Sequence, residues 1–177
     1  MRKTLTALFL CFIFSNIFAQ QSTHKVSAYL SAAFSKTVYD RIIGNNPWGM
    51  GLGLQAFLNT PSKFKLTMEV TGDLYLESGK VYYVFQNGDE IKSIDGVVNI
   101  FAGASFHPNK TGYFSLVAGP SFINNRTCLG IKPSMGFYFS EKQRWGFKVF
   151  YTNIFNREEF SKKDFGTIGF SIGCRLF

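Results

Sequence analysis

Few residues in this chain have the chemistry to act on a substrate. Beyond position 20 there are two histidines, His24 and His107, and two cysteines, Cys128 and Cys174. A hydrolytic relay needs a histidine held between a hydroxyl nucleophile and a carboxylate. His24 opens a β-type run and His107 stands beside Pro108 in a turn-type stretch, so neither is placed for that role. Two separated histidines and two separated cysteines make no metal cluster, and neither metal nor cofactor is expected. Gly51 and Gly53 lie inside an alternating run, not at a strand-to-helix turn, so they are not a phosphate cradle. Their expected use is to make room for Tyr29, Phe57 or Tyr138. The charged residues are more telling. Lys65, Glu69, Asp73, Lys132, Lys148 and Arg175 interrupt otherwise weakly charged runs, and each falls in the phase opposite to the apolar residues around it. If that phase is enclosed, these charges must pair. The expected contacts run from Glu69 and Asp73 to Lys132 and Lys148.

The elements that would enclose them are written as period-two alternation, which marks a strand with one apolar face. It recurs in eight runs: His24–Phe34, Trp48–Leu58, Phe64–Leu76, Ile94–Phe106, Tyr113–Ile123, Cys128–Phe139, Trp145–Ile154 and Gly166–Phe177. In the second run Met50, Leu52, Leu54, Ala56 and Leu58 alternate with Gly49, Gly51, Gly53 and Gln55. In the third, Leu66, Met68, Val70 and Leu74 alternate with Lys65, Thr67, Glu69 and Asp73. Pro133 is expected at a bulge, since proline cannot donate to a ladder.

Most of these runs exceed the roughly 5–6 residues of a typical soluble strand and match the roughly 9–11 that a tilted strand needs to cross a bilayer. The connections alternate in kind. Tight turns follow the second, fourth and sixth runs, at 59–63, 107–112 and 140–144, and the longer connections follow the first, third and seventh. The expected fold is all-β: an eight-stranded antiparallel up-and-down transmembrane barrel, apolar side outward and charges in the lumen. A barrel of that size is only just filled by its own side chains, which excludes a wide pore.

The ends read as addresses. Arg2 and Lys3, the apolar run Leu5 to Phe14, and the small or polar residues up to Phe18-Ala19-Gln20 have the order of a secretory signal. The expected organisation is a signal peptide over 1–20 and one barrel domain over 21–177. Cys11 is read as filler of the apolar run. The last run sets Ile168, Phe170, Ile172, Cys174 and Leu176 against Thr167, Gly169, Ser171, Gly173 and Arg175, and reaches Phe177. It resembles the closing strand of bacterial outer-membrane β-barrels, whose aromatic end is read by the barrel-assembly machinery. Phe177 is then the assembly signal. Its phase is opposite to that of the apolar set; either a bulge restores it or the signal is read loosely. The Phe-Ala-Gln ending of the signal resembles exported proteins of Bacteroidetes-type bacteria. The resemblance implies an outer-membrane protein with both termini in the periplasm, in contact with outer-membrane lipid and lipopolysaccharide, and monomeric.

Composition agrees with a lipid-facing barrel: 18% aromatic, 17 glycines and 17% charged residues. Removing Arg2 and Lys3 leaves 17 basic against 11 acidic residues. A basic balance at an envelope fits anionic lipid head groups, while nucleic acid is the wrong partner for an exported chain without a basic helix or an RNA-binding motif. Between the third and fourth runs, Gln86-Asn87-Gly88-Asp89 separates two β-prone segments, and Asn-Gly is a hairpin signal. The ribbon it predicts carries Tyr82, Tyr83 and Phe85 beside Asn87 and Gly88, a candidate surface for an extracellular partner by strand addition. It resembles the protruding hairpins of small adhesion and serum-resistance barrels. The expected function is therefore structural, envelope-stabilising or surface-binding rather than enzymatic. A lipid A-modifying enzyme and a soluble, lipocalin-like periplasmic barrel are the alternatives.

Overall fold

The computed structural model describes residues 25–39, 45–77, 83–84, 90–91, 96–123, 126–156 and 164–177. The expected signal peptide lies outside them. Eight strands, β1 (Val26–Tyr39), β2 (Asn45–Leu58), β3 (Phe64–Glu77), β6 (Gly96–Phe106), β7 (Gly112–Ile123), β8 (Arg126–Tyr138), β9 (Trp145–Ile154) and β10 (Phe165–Arg175), close into one antiparallel barrel. Each pairs with its chain neighbours, and β1 meets β10 to complete the ring. The two remaining elements, β4 (Tyr83–Val84) and β5 (Glu90–Ile91), pair only with each other as a separate two-stranded ribbon.

The alternation in the sequence becomes an inside and an outside. Outward-facing Leu52, Leu66 and Leu74 are 65%, 61% and 67% exposed, while inward-facing Thr67 and Glu69 on the same sheet are 0% and 2% exposed. Ile100, Ile172, Met50 and Met68 also point away from the barrel. This arrangement is the reverse of a soluble shell, which buries its large apolar side chains, and it rules out the lipocalin-like alternative. Aromatic residues crowd both ends of the outer face: Phe64, Phe114, Phe139 and Trp145 at the turn end, Phe34, Trp48, Phe122 and Phe170 toward the loop end.

The three tight connections lie at the end of the barrel that also holds the start of β1 and the end of β10. Their turn chemistry is local. Asn109 Oδ1 accepts from the backbone N–H groups of Thr111 (3.0 Å) and Gly112 (2.8 Å), an Asx turn. Ser62 Oγ accepts from the Phe64 N–H at 3.1 Å.

Two local expectations are corrected. Pro133 is not at a bulge, because the β8–β9 register is the same on both sides of it, from Ile131↔Asn153 to Ser134↔Phe150. Its ring points outward, so the lost donor interrupts the ladder without shifting it. Gly51 and Gly53 do not make room for aromatic rings. A Cβ at Gly51 would overlap the Asp73 carboxylate, and one at Gly53 would press on Ser31 and Thr71. The rings lean instead over Gly49 (Tyr75), Gly136 (Tyr113) and Gly169 (Phe150), each directly opposite on the neighbouring strand. At the closing seam the Leu176 N–H donates to the Ala28 carbonyl (2.8 Å), but the Ala28 N–H reaches the Phe177 oxygen (3.2 Å). A regular pair would return both bonds to one residue. The one-residue offset is the kind of shift that the phase of Phe177 calls for.

Candidate functional site

The inward phase of β2, β3, β8 and β9 brings Gln55, Glu69, Lys132 and Lys148 to the middle of the lumen. Glu69 Oε1 accepts from Lys132 Nζ at 2.6 Å and from Lys148 Nζ at 2.9 Å. Lys148 Nζ also donates to Gln55 Oε1 at 3.2 Å, and the Tyr113 hydroxyl donates to the same oxygen at 3.2 Å. Lys132 lies 4.2 Å from the centre of the Phe150 ring, whose face attracts the ammonium. The four polar side chains are at least nine-tenths buried. Burying three charges is tolerable only because one carboxylate oxygen serves both lysines at charge-assisted hydrogen-bond distance. Glu69 Oε2 and Gln55 Nε2 have no protein partner.

The other expected members of the network sit elsewhere. Asp73 does not pair with either lysine. It accepts from Thr71 Oγ1 and Asn99 Nδ2, both at 3.5 Å, nearer the loop end. Lys65 donates to Asn59 Oδ1 at 3.3 Å at the turn end. Arg175 bonds Ser27 Oγ (3.1 Å) and the Phe177 backbone oxygen (3.0 Å), bracing the seam instead of entering the lumen cluster. Gln55 is the member that sequence reasoning missed, although its phase with Gly49, Gly51 and Gly53 already turned it inward.

Apolar plugs close both sides of the cluster. Toward the turns, Tyr29, Phe57, Tyr113 and Tyr138 pack together. Toward the loops, Tyr75, Val97, Ile123, Ile154 and Phe165 do so. A cavity of ≈ 20 Å³ beside Gln55, Lys148 and the three tyrosines is too small for a solute.

His107 stands where β6 gives way to the turn beside Pro108, but its side chain is buried. It continues the inward phase of Phe101, Gly103 and Ser105, is buried, stacks on Tyr113 at 5.2 Å and meets Phe57 edge-on at 5.2 Å. Its Nε2 lies 3.0 Å from Ser105 Oγ, which in turn accepts from Thr67 Oγ1 at 2.9 Å. Burial, with the Lys65 charge adding to it, pulls its pKa down to about 4. The charge near this imidazole is thus a cation, not the carboxylate that a hydrolytic relay needs, and the pair is sealed under the turns. Among the described residues no group of His, Cys, Asp and Glu could hold a metal. Cys128 Sγ donates to the Asn156 carbonyl at 3.8 Å near the loop end, while Cys174 lies near the turn end, too far along the barrel for the two to join.

Of the candidate surface residues, Tyr83 lies in β4, while Tyr82, Phe85, Asn87 and Gly88 lie outside the described residues. The pairs Tyr83↔Ile91 and Val84↔Glu90 make the ribbon antiparallel, as a hairpin requires. The Asn87-Gly88 dipeptide between the two strands lies outside the described residues.

This inside-out barrel with short turns at one end is the architecture of small outer-membrane β-barrels. The fold is similar to that of Ail, the attachment invasion locus protein of Yersinia pestis, with a TM-score of 0.54, 13% identity, and coverage of 85% of this chain and 97% of that one. Ail in a phospholipid bilayer nanodisc gives 0.53 at 11% identity, covering 85% and 99%. Neisserial surface protein A gives 0.55 at 14% identity, covering 86% and 96%. At these identities the likeness is one of fold. The sequence matches no protein-family model and no curated protein.

Proposed function

We propose that this chain is an integral outer-membrane protein without pore or catalytic centre, which presents its loop-end segments at the cell surface to contact a partner or stabilise the envelope. One observation carries the reading: Leu52 faces out at 65% exposure while Glu69, at 2%, is locked between two lysines inside. Hydrocarbon favours the first and tolerates no exposed version of the second. The two plugs argue against solute passage. The buried Ser105–His107 contact, lacking a carboxylate and lying at the turn end, argues against lipid A chemistry in the outer leaflet.

The β4–β5 ribbon stands apart from the barrel sheet, and a two-stranded ribbon has free edges for strand addition. Ail carries attachment in its name and has been solved with a heparin analogue; a surface-contact role of that general kind suits this ribbon. The rest of the proposal is export on residues 1–20, recognition of Phe177 by the barrel-assembly machinery, both termini in the periplasm, and a monomer among outer-membrane lipid and lipopolysaccharide in a Bacteroidetes-type envelope. Cell fractionation tests it. The protein should sediment with the outer membrane, leave it only in detergent, and migrate differently on gels before and after boiling. Protease added to intact cells should cut within 78–95. Recovery as a soluble periplasmic protein would refute the reading.

A further inference from the structure

The charges of this barrel are divided unequally between its two ends. Among the described residues, Glu69 and Asp73 balance Lys132 and Lys148 in the lumen. The described charges toward the loop end are Lys36 and Arg126 against Glu77, Glu90 and Asp164. At the turn end seven basic residues face one acidic side chain, Glu141, a side-chain excess of six positive charges.

These cations occupy one level. Lys25 precedes Val26, Lys63 precedes Phe64, and Arg144 precedes Trp145, so an exposed cation stands where three outward apolar faces begin. Lys142 and Lys110 are exposed on the turns between, and Glu141, 3.7 Å from Lys110, is the one acidic side chain there among the described residues. Lys65 and Arg175 line the same rim. A cation next to an interfacial aromatic lies at head-group depth, its stem along the apolar surface and its charge in the polar layer.

We infer that the turn-end rim is a binding surface for anionic phospholipid head groups, of the phosphatidylglycerol or cardiolipin class, in the leaflet facing the periplasm. The inference rests on the membrane reading above. It assigns the basic excess to the phospholipid leaflet and not to lipopolysaccharide, which would meet the loop end, where the described residues carry no such excess. Lipid is favoured over an acidic polymer of the periplasm because the cations flank the aromatic belt at the base of the wall instead of projecting from a domain beyond it.

The two tryptophans report on the two ends separately. Trp145 adjoins Arg144, and Trp48 lies at the far end of β2. The full barrel chain, refolded into phosphatidylcholine vesicles, is titrated with brominated phosphatidylglycerol or brominated phosphatidylcholine. Quenching is read from Trp145 in a Trp48→Phe background and from Trp48 in a Trp145→Phe background. Phosphatidylglycerol should win at Trp145 by roughly threefold or more at low salt, since each basic side chain near an anionic surface adds attraction. The preference should fall to about one in Lys63→Gln/Lys142→Gln/Arg144→Gln, whose changes lie in or beside the turns, with heat-dependent gel migration confirming the fold; at Trp48 it should be about one throughout. Equal preference at both tryptophans, or a Trp145 preference that survives the triple substitution, overturns the inference. So does a lipid ratio of one with salt-sensitive cosedimentation on peptidoglycan, which would give the cations to the polymer. No quenching by either lipid would instead sink the membrane reading itself.

Discussion

Lys132 Nζ lies 2.6 Å from Glu69 Oε1 although their strands, β8 and β3, are separated in the sheet by β7 and β6. The bond therefore crosses the lumen, and with Lys148 it ties β3 to the adjacent strands β8 and β9, neither of which the ladder pairs with it. Glu69→Gln leaves two buried ammonium groups without a counter-charge. It should lower the stability of the refolded barrel by about 3–5 kcal/mol, read as a shift of the urea or guanidinium unfolding midpoint. An unchanged midpoint would mean that the cluster does not hold the barrel together.

Removing the whole cluster should cost less than breaking it. Glu69→Leu with Lys132→Met and Lys148→Met replaces three buried charges by apolar groups of similar size, which is often neutral or stabilising. The triple variant is expected to be more stable than Glu69→Gln alone. If it proves the weaker of the two, the lysines have a role that pairing does not explain.

How far these relations could be read in advance follows from what alternation encodes. Period two decides the face, so Glu69, Lys132 and Lys148 were legible as inward residues, and Leu52, Ile100 and Ile172 as outward ones. It does not decide height. The stagger between strands sets which inward residues share a level, and that property of the closed ring is written in no single strand. Hence Asp73, two inward positions beyond Glu69 on β3, meets Asn99 and not a lysine. Strand ends were blurred for a similar reason: β1 continues past Phe34 through Ser35 and Thr37, polar residues that face inward and resemble a loop in isolation.

The glycines of the wall are predicted to divide by what a side chain there would meet. A Cβ at Gly136 would overlap the Tyr113 ring, a member of the turn-end plug, so Gly136→Ala should cost about 1–3 kcal/mol. Gly72 faces outward with nothing within 4 Å of a Cβ, and Gly72→Ala should stay within about 0.5 kcal/mol of the parent. Equal unfolding midpoints for the two variants would count against the packing of Tyr113.

His107 gives the barrel a pH dependence of known sign. Its folded pKa is depressed from 6.5 to about 4, so on acidification the unfolded chain takes the proton first. The stability that neutral His107 contributes is present above 6.5 and is lost progressively as pH falls toward about 4. Unfolding midpoints followed across that window should fall in the parent more steeply than in His107→Gln. Parallel curves would show that the imidazole is not held neutral in the plug.

The solvent around Leu52 decides the whole account. A nitroxide on a cysteine placed at Leu52, with Cys128 and Cys174 changed to alanine, reports collision rates with oxygen and with a nickel chelate in phospholipid bilayers. In this account oxygen, which concentrates in hydrocarbon, relaxes the label strongly and the chelate barely reaches it. Strong relaxation by the chelate and weak relaxation by oxygen would put Leu52 in water and end the case for a membrane barrel.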